Sequence, residues 1–190
     1  MGKADDTRQR ILAAATAEFV AHGLAGARVD RIAEQARINK AQIYHYVGNK
    51  DALFDAAVAG HVAANLDRVP LTVDDLPGYA ARLYDAYVAD ASLVRLLTWS
   101  RLERRPSGDL FDTPHHDGPA LAKLFEAQAS GRLVDDIEVE DLWSMLIALC
   151  GSWAQASLTL TADATDPDEV HARRRRALST AVTRAFVRDG

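Results

Sequence analysis

Apolar residues recur at three- and four-residue spacing along most of this chain, and nowhere do apolar and polar residues alternate long enough to compete as a strand. That rhythm predicts an all-α protein. Ile11, Leu12, Ala15, Phe19 and Val20 lie on one face of a first helix, which Thr7 can cap and Gly23 can stop in a left-handed conformation. Two short helices follow. Val29 to Ala36 aligns Val29, Ile32, Ala33 and Ala36, and Asn39 opens a segment that contains Ile43, Tyr44 and Val47. A three-helix unit of this size buries little, so it should lean on a fourth helix that begins near Lys50, carries Leu53, Phe54, Ala57 and Val58, and ends before Pro70.

The pattern stays helical downstream. A fifth helix from about Pro77 turns Tyr79, Leu83, Tyr84, Tyr87 and Val88 inward, and a sixth after Ser92 carries Leu93, Leu96, Leu97 and Trp99. Residues Pro106 to Pro119, rich in Pro, Gly, Asp and His, form a loop. A seventh helix, Pro119 to Ser130, buries Leu121, Leu124 and Phe125 and ends at Gly131. The eighth is expected from Val139 to Leu160, with Leu142, Met145, Leu146, Leu149, Trp153 and Leu160 in one stripe. For the ninth, Asp166 is the expected cap and Pro167 the first helical position, with Asp168 and Glu169 favourably placed on the dipole. Val170, Leu178, Ala181, Val182, Ala185 and Phe186 follow on its apolar side.

With 48% apolar residues over 190 positions the chain can build a real core, which argues against disorder. It has no apolar run of membrane-spanning length and no apolar leader after its first residues, which predicts a soluble, cytoplasmic protein without a membrane partner. A single cysteine, Cys150, rules out an intrachain disulfide and suits a small buried hydrophobe. The net charge of -5 argues at first against a nucleic-acid partner. Its distribution reverses that reading: residues 1–50 hold eight Lys/Arg against five Asp/Glu, while residues 51–190 hold fourteen against twenty-two. The basic end is the part suited to DNA.

A helix that reads DNA must expose polar side chains in its N-terminal half to base edges while apolar residues pin its other face. Lys40, Ala41 and Gln42 fit the exposed positions, and Ile43 and Val47 the pinned ones. Tyr46 is an amphipathic group able to reach phosphate or a thymine methyl; Tyr44 fits either that role or packing against the first helix. Lys50 and Arg28 can each meet a phosphate. The stretch from about residue 8 to 58 resembles the DNA-binding end of the TetR family of bacterial regulators. The resemblance rests on Phe19 with Gly23, on IAEQA from Ile32 to Ala36, and on QIYHYVGNKDALF from Gln42 to Phe54.

That resemblance implies a division into a helix-turn-helix domain over residues 1–50 and a larger helical effector-binding and dimerisation domain over 51–190. It implies a homodimer through the eighth and ninth helices, bound to double-stranded pseudo-palindromic operator DNA and released by a small effector. Lys40, Ala41 and Gln42 would read bases, and Tyr44, Tyr46 and Lys50 would contact the backbone. Three positions depart from the family pattern: Arg28 where a capping Ser or Thr is usual, Asp30 at the start of the second helix, and Arg37 in place of a turn glycine. The last costs about 1 kcal/mol if its backbone is left-handed.

Tyr84, Tyr87, Trp99, Trp143, Met145 and Trp153 are candidates to line a pocket for a hydrophobic or aromatic effector, although ordinary core is the better reading for any single one of them. Small and apolar residues beyond one stripe on the last two helices (Ala148, Gly151, Ala154, Ala181, Ala185) suggest a second buried side, as a dimer needs. Asp112, His115, His116 and Asp117 share a loop but lack a fixed metal-ligand spacing, so a solvated loop is expected and no metal or cofactor. Arg173 to Arg176 read as a solvated or salt-bridged helix face. The chain has no phosphate loop, nucleophile elbow or metal-binding helix motif, so no enzymatic activity is expected. A repressor is the leading reading; the alternative is a small-molecule or partner-binding helical dimer with a weakened DNA head, which Asp30, Arg37 and the acidic total charge would suit.

Overall fold

A computed structural model of the chain describes residues 3–108, 110 and 117–188. Among these, nine α-helices and one short 3₁₀ turn account for the regular structure, with no strand and only an isolated bridge between Leu133 and Val187. The chain divides into two compact units. One comprises the described chain up to Ala64 together with the described part of 92–110; the other comprises Asn65–Ala91 together with the described chain from Asp117 onward. The helix-turn-helix therefore shares its unit with most of the fourth helix and all of the sixth, a different division from a cut at residue 50.

In the first unit, α1 (Lys3–Gly26) buries Ile11, Ala14, Ala15 and Phe19 at helical spacing. It begins earlier than Thr7, which is itself buried inside the helix; Asp5 and Asp6 suit the first turn because carboxylates favour the positive end of the dipole. The expected break falls at Gly23, with φ 69° and ψ -178°, a region that only glycine adopts without strain. Then come α2 (Val29–Ala36), α3 (Lys40–Val47), α4 (Lys50–Arg68) and, in the same unit, α6 (Ser92–Glu103). Phe19 of α1 and Phe54 of α4 meet edge to face at 5.1 Å, both fully buried. Burial of this kind is worth about 1.5–3 kcal/mol per large side chain.

The sixth helix belongs here because its polar side chains satisfy the end of α1. Arg95 donates from Nε and Nη2 to the Val20 carbonyl at 3.1 and 2.9 Å, Trp99 Nε1 donates to the same oxygen at 3.4 Å, and the Ala25 N–H donates to Glu103 Oε2 at 2.9 Å. The Trp99 ring lies so close that a Cβ on Gly23 would stand 2.8 Å from it. Arg104 adds an ion pair to Asp55 and stacks over Phe54.

In the second unit, a 3₁₀ turn (Val73–Asp75) leads into α5 (Leu76–Ala89), whose cap Asp75 accepts from the Gly78 N–H at 2.9 Å. Helices α7 (Gly118–Ala129), α8 (Val139–Cys150) and α9 (Asp168–Phe186) complete it around Leu76, Tyr79, Leu83, Tyr84, Leu124, Leu142, Leu146, Leu178, Val182 and Phe186. Cys150 is buried, and burial pushes its thiol up to about 12. Phe125, expected inside, is 65% exposed.

The eighth helix is shorter than its apolar stripe predicts, ending at Cys150 instead of Leu160. Beyond Gly151 the sequence turns to Ser and Thr, whose hydroxyls offer the backbone local alternatives to a helix. Ser157 Oγ accepts from the Thr159 and Leu160 N–H groups at 3.4 Å, and the Trp153 carbonyl accepts from Ala162 N–H at 2.7 Å. Leu160 is consequently exposed, whereas Trp153 still packs on the core. At the start of α9 the expected cap also differs. Pro167 occupies the cap position and its carbonyl accepts from Val170 N–H at 2.8 Å, while the Asp166 carboxylate serves Arg174 and the Asp163 N–H.

Candidate nucleic-acid interface

The second helix of the unit buries one face, Val29, Ile32, Ala33 and Ala36, against α1. It closes in a tight reversal: Arg37 has φ 56° and ψ 49°, and the Ile38 N–H donates to the Ala33 carbonyl at 3.0 Å. This is the left-handed turn expected where a glycine is usual, held here by an arginine. Asn39 then caps α3. Its side chain accepts from the Gln42 N–H at 2.8 Å, and Gln42 Oε1 accepts from the Asn39 N–H at 3.2 Å, a complete capping box.

Of the eight residues of α3, only Ile43 is buried. Lys40, Ala41, Gln42, Tyr44 and His45 are exposed, and Tyr46 and Val47 half-buried. Tyr44, for which core packing was the competing reading, is 43% exposed. Tyr46 stands edge-on to His45 at 5.5 Å. The helix thus presents most of its surface, anchored by one isoleucine and a cap.

The charged residues are less free than their positions in the sequence suggest. Lys40 Nζ lies 3.0 Å from Asp30 Oδ1, and that hydrogen bond, with the attraction of the same carboxylate, raises the lysine above its ordinary value. Lys50, expected on phosphate, donates to the Ala27 carbonyl at 3.1 Å and the Ala25 carbonyl at 3.4 Å, tying the start of α4 to the α1–α2 corner. Arg28 makes no side-chain cap, as expected, and its side chain is exposed. Its N–H is satisfied instead by Glu18 Oε1 at 2.8 Å. Glu18, 7% exposed, also receives Arg31 in a close ion pair. Burial pushes this carboxyl up, but the Arg31 hydrogen bond, the Arg28 amide and nearby positive charge outweigh it, and the net shift is downward.

Sequence reasoning missed Asp30 as the partner of Lys40 and Glu18 as the surrogate cap, because both pairings join separate helices. The Gln42 back-bond had a local signal, the Asn-x-x-Gln spacing of a capping box.

The six aromatic and methionine candidates fall in different surroundings. Trp99 packs on Gly23 in the first unit. In the second, Tyr84 is fully buried, its hydroxyl 2.7 Å from His171 Nδ1 and its ring edge-on to Trp153 at 5.8 Å. Tyr87 and Trp143 are half-buried against the same core, and Met145 is 48% exposed. Arg174, from the basic run on α9, is buried between Asp166 at 2.5 Å and the Trp153 ring, and Arg175 pairs with Asp85 at 2.7 Å. Asp112, His115 and His116 lie outside the described residues; among those described, no group of three or more His, Cys, Asp or Glu could hold a metal. No described helix is long and apolar enough to cross a membrane.

A capped, exposed second helix set on a tight turn after a short buried one defines the helix-turn-helix class of DNA-binding regulators. The comparisons with known proteins specify it further. Residues 11–57 match the model for bacterial regulatory proteins of the tetR family, and residues 75–184 match a tetracyclin repressor-like C-terminal domain. The chain is 38% identical over 154 residues to the HTH-type transcriptional repressor SCO4008 of Streptomyces coelicolor, covering 78% of each chain. It is 31% identical over 161 residues to the HTH-type transcriptional repressor NicS of Pseudomonas putida, covering 78% of this chain and 76% of that one. The crystal structure of SCO4942 from Streptomyces coelicolor superposes with a TM-score of 0.78 at 38% identity, covering 96% of this chain and 99% of that one. The protein belongs to the TetR family of transcriptional regulators. Regulators of this family bind operator DNA and act as dimers, and the relatives are regulators, not enzymes.

Proposed function

We propose that this protein shuts off transcription by binding a pseudo-palindromic operator as a homodimer through α8 and α9, and that a small hydrophobic or aromatic effector releases it. The observation that carries the DNA half is α3 itself: eight residues, one buried, a complete cap, and polar groups toward its N-terminal end. Arg28, Lys40, Ala41, Gln42, Tyr44 and Tyr46 form the DNA-facing set, and Lys50 supports it by holding the α1–α2 corner. Two such helices related by a two-fold axis would enter successive major grooves about 34–36 Å apart. The intact cap and ordered turn speak against a weakened head. For the effector half, the aromatic cluster of Tyr84, Trp153, Tyr87 and Trp143 in the second unit suits an apolar or aromatic ligand. Operator binding makes the cytoplasm its place of action.

The test is retention of fragmented genomic DNA by the purified protein at moderate salt, followed by sequencing. A short palindrome upstream of its own or a neighbouring gene is expected, with binding that weakens as salt rises. Tyr44→Ala should lose that retention. Retention without sequence preference, equal for wild type and Tyr44→Ala, refutes the reading.

A further inference from the structure

We infer that Asp30 is a specificity-determining residue, reading one guanine–cytosine base pair jointly with Lys40: the ammonium on guanine, the carboxylate on the cytosine amino group. The inference rests on the operator-binding reading above and names a base pair within that operator.

Asp30 is the second residue of α2 and Lys40 the first of α3, so their contact joins the two helices of the motif at the end where α3 presents itself to base edges. Carboxylate and ammonium stand 3.0 Å apart, and both side chains are about half exposed, 62% for Asp30 and 47% for Lys40. An acceptor and a donor are therefore held side by side, with room for further partners. A lysine ammonium has three donors and can keep Asp30 while reaching a base.

The major-groove edge of a guanine–cytosine pair offers the complement, two acceptors on guanine (N7, O6) beside the N4 donor of cytosine. An adenine–thymine pair in the same orientation keeps the N7 acceptor but puts the adenine amino donor where guanine O6 met the ammonium, and sets thymine O4 against the carboxylate. A pair this exposed contributes little to folding stability, so replacing either residue tests recognition without unfolding the head. A carboxylate on the DNA-facing side also repels phosphates at every sequence. That cost is constant, whereas the contact to cytosine is gained only at the operator. Asp30 thus trades general affinity for discrimination.

The experiment is selection from randomised double-stranded DNA with the full chain, comparing wild type, Asp30→Ala and Lys40→Met, each first verified as helical by circular dichroism. Wild type should enrich a palindrome with guanine–cytosine at one symmetry-related pair of positions. Both variants should relax that position and leave the rest intact, losing roughly tenfold or more discrimination there. Asp30→Ala should in addition bind unselected DNA more tightly. If Asp30→Ala keeps every base preference of wild type, or the two variants relax different positions, the joint reading is wrong while operator binding stands. If wild type enriches no sequence, operator binding and this inference fall together.

Discussion

Glu18 shows how much one residue can hold in a small helical head. Its carboxylate replaces the cap that Arg28 cannot provide, accepting the Arg28 N–H at 2.8 Å, and it fixes Arg31 as well. Removing it leaves a helix-terminal N–H without its partner, which costs about 1–3 kcal/mol. Glu18→Ala should therefore lower the unfolding free energy read from urea titration by about that amount, while Glu18→Gln, which keeps an oxygen acceptor but not the charge, should lose less. The pH dependence has a definite sign. The folded carboxyl lies below its ordinary value of 4.5, so its stabilisation is present above that value and is lost as pH falls through the lowered one. The stability gap between wild type and Glu18→Gln, measured by urea titration, should be full at pH 7 and shrink in acid; a gap unchanged by pH would mean the charge contributes nothing. The sequence made the missing cap visible at Arg28, because capping is a local property of residue type. It did not reveal the replacement, since Glu18 lies ten residues away on another helix and nothing in the spacing marks it.

Among the elements, α3 depends most on its ends. Eight residues with one buried side chain make a helix that is marginal alone, so the capping box and the Arg37 turn set its order. Asn39→Ala should destabilise the unit by about 1 kcal/mol and weaken operator binding, because a frayed first turn misplaces Lys40 and Gln42. Arg37→Gly should act oppositely, relieving the left-handed strain at φ 56° and raising stability by up to about 1 kcal/mol. Thermal melts of the two variants beside wild type check both signs. These short helices were legible because Asn39 is a local start signal for α3, while the resemblance to the family placed Arg37 at the turn. The eighth helix was not fully legible. Its apolar stripe ran on to Leu160, but Gly151 and the Ser/Thr tract favour turns, and periodicity does not weigh that competition. Expected burial of Leu160 failed for the same reason, while Trp153 stayed inside through its contact with Tyr84.

At the scale of the whole molecule, an acidic protein must bind a polyanion, and a single eight-residue reading helix offers few contacts with which to do so. Doubling the head in one particle is the physical remedy, because linking two half-site contacts raises overall affinity by about 10²–10⁴-fold without any new contact. The proposed dimer surface has the right chemistry. Met145 and Ala148 on α8 and Ala177 and Ala181 on α9 are exposed, small or apolar, and lie on helices that pack together. A charge placed there should oppose association while leaving the buried side of each helix untouched. Ala148→Glu and Ala181→Glu are expected to sediment as monomers, to keep the helical circular dichroism of wild type, and to lose on the order of 10²-fold or more in operator affinity. Variants that remain dimeric would place the interface on another face of the protein. Monomers that still bind the full operator as tightly as wild type would show that a single head suffices, and the two-fold symmetry expected of the operator would lose its physical basis.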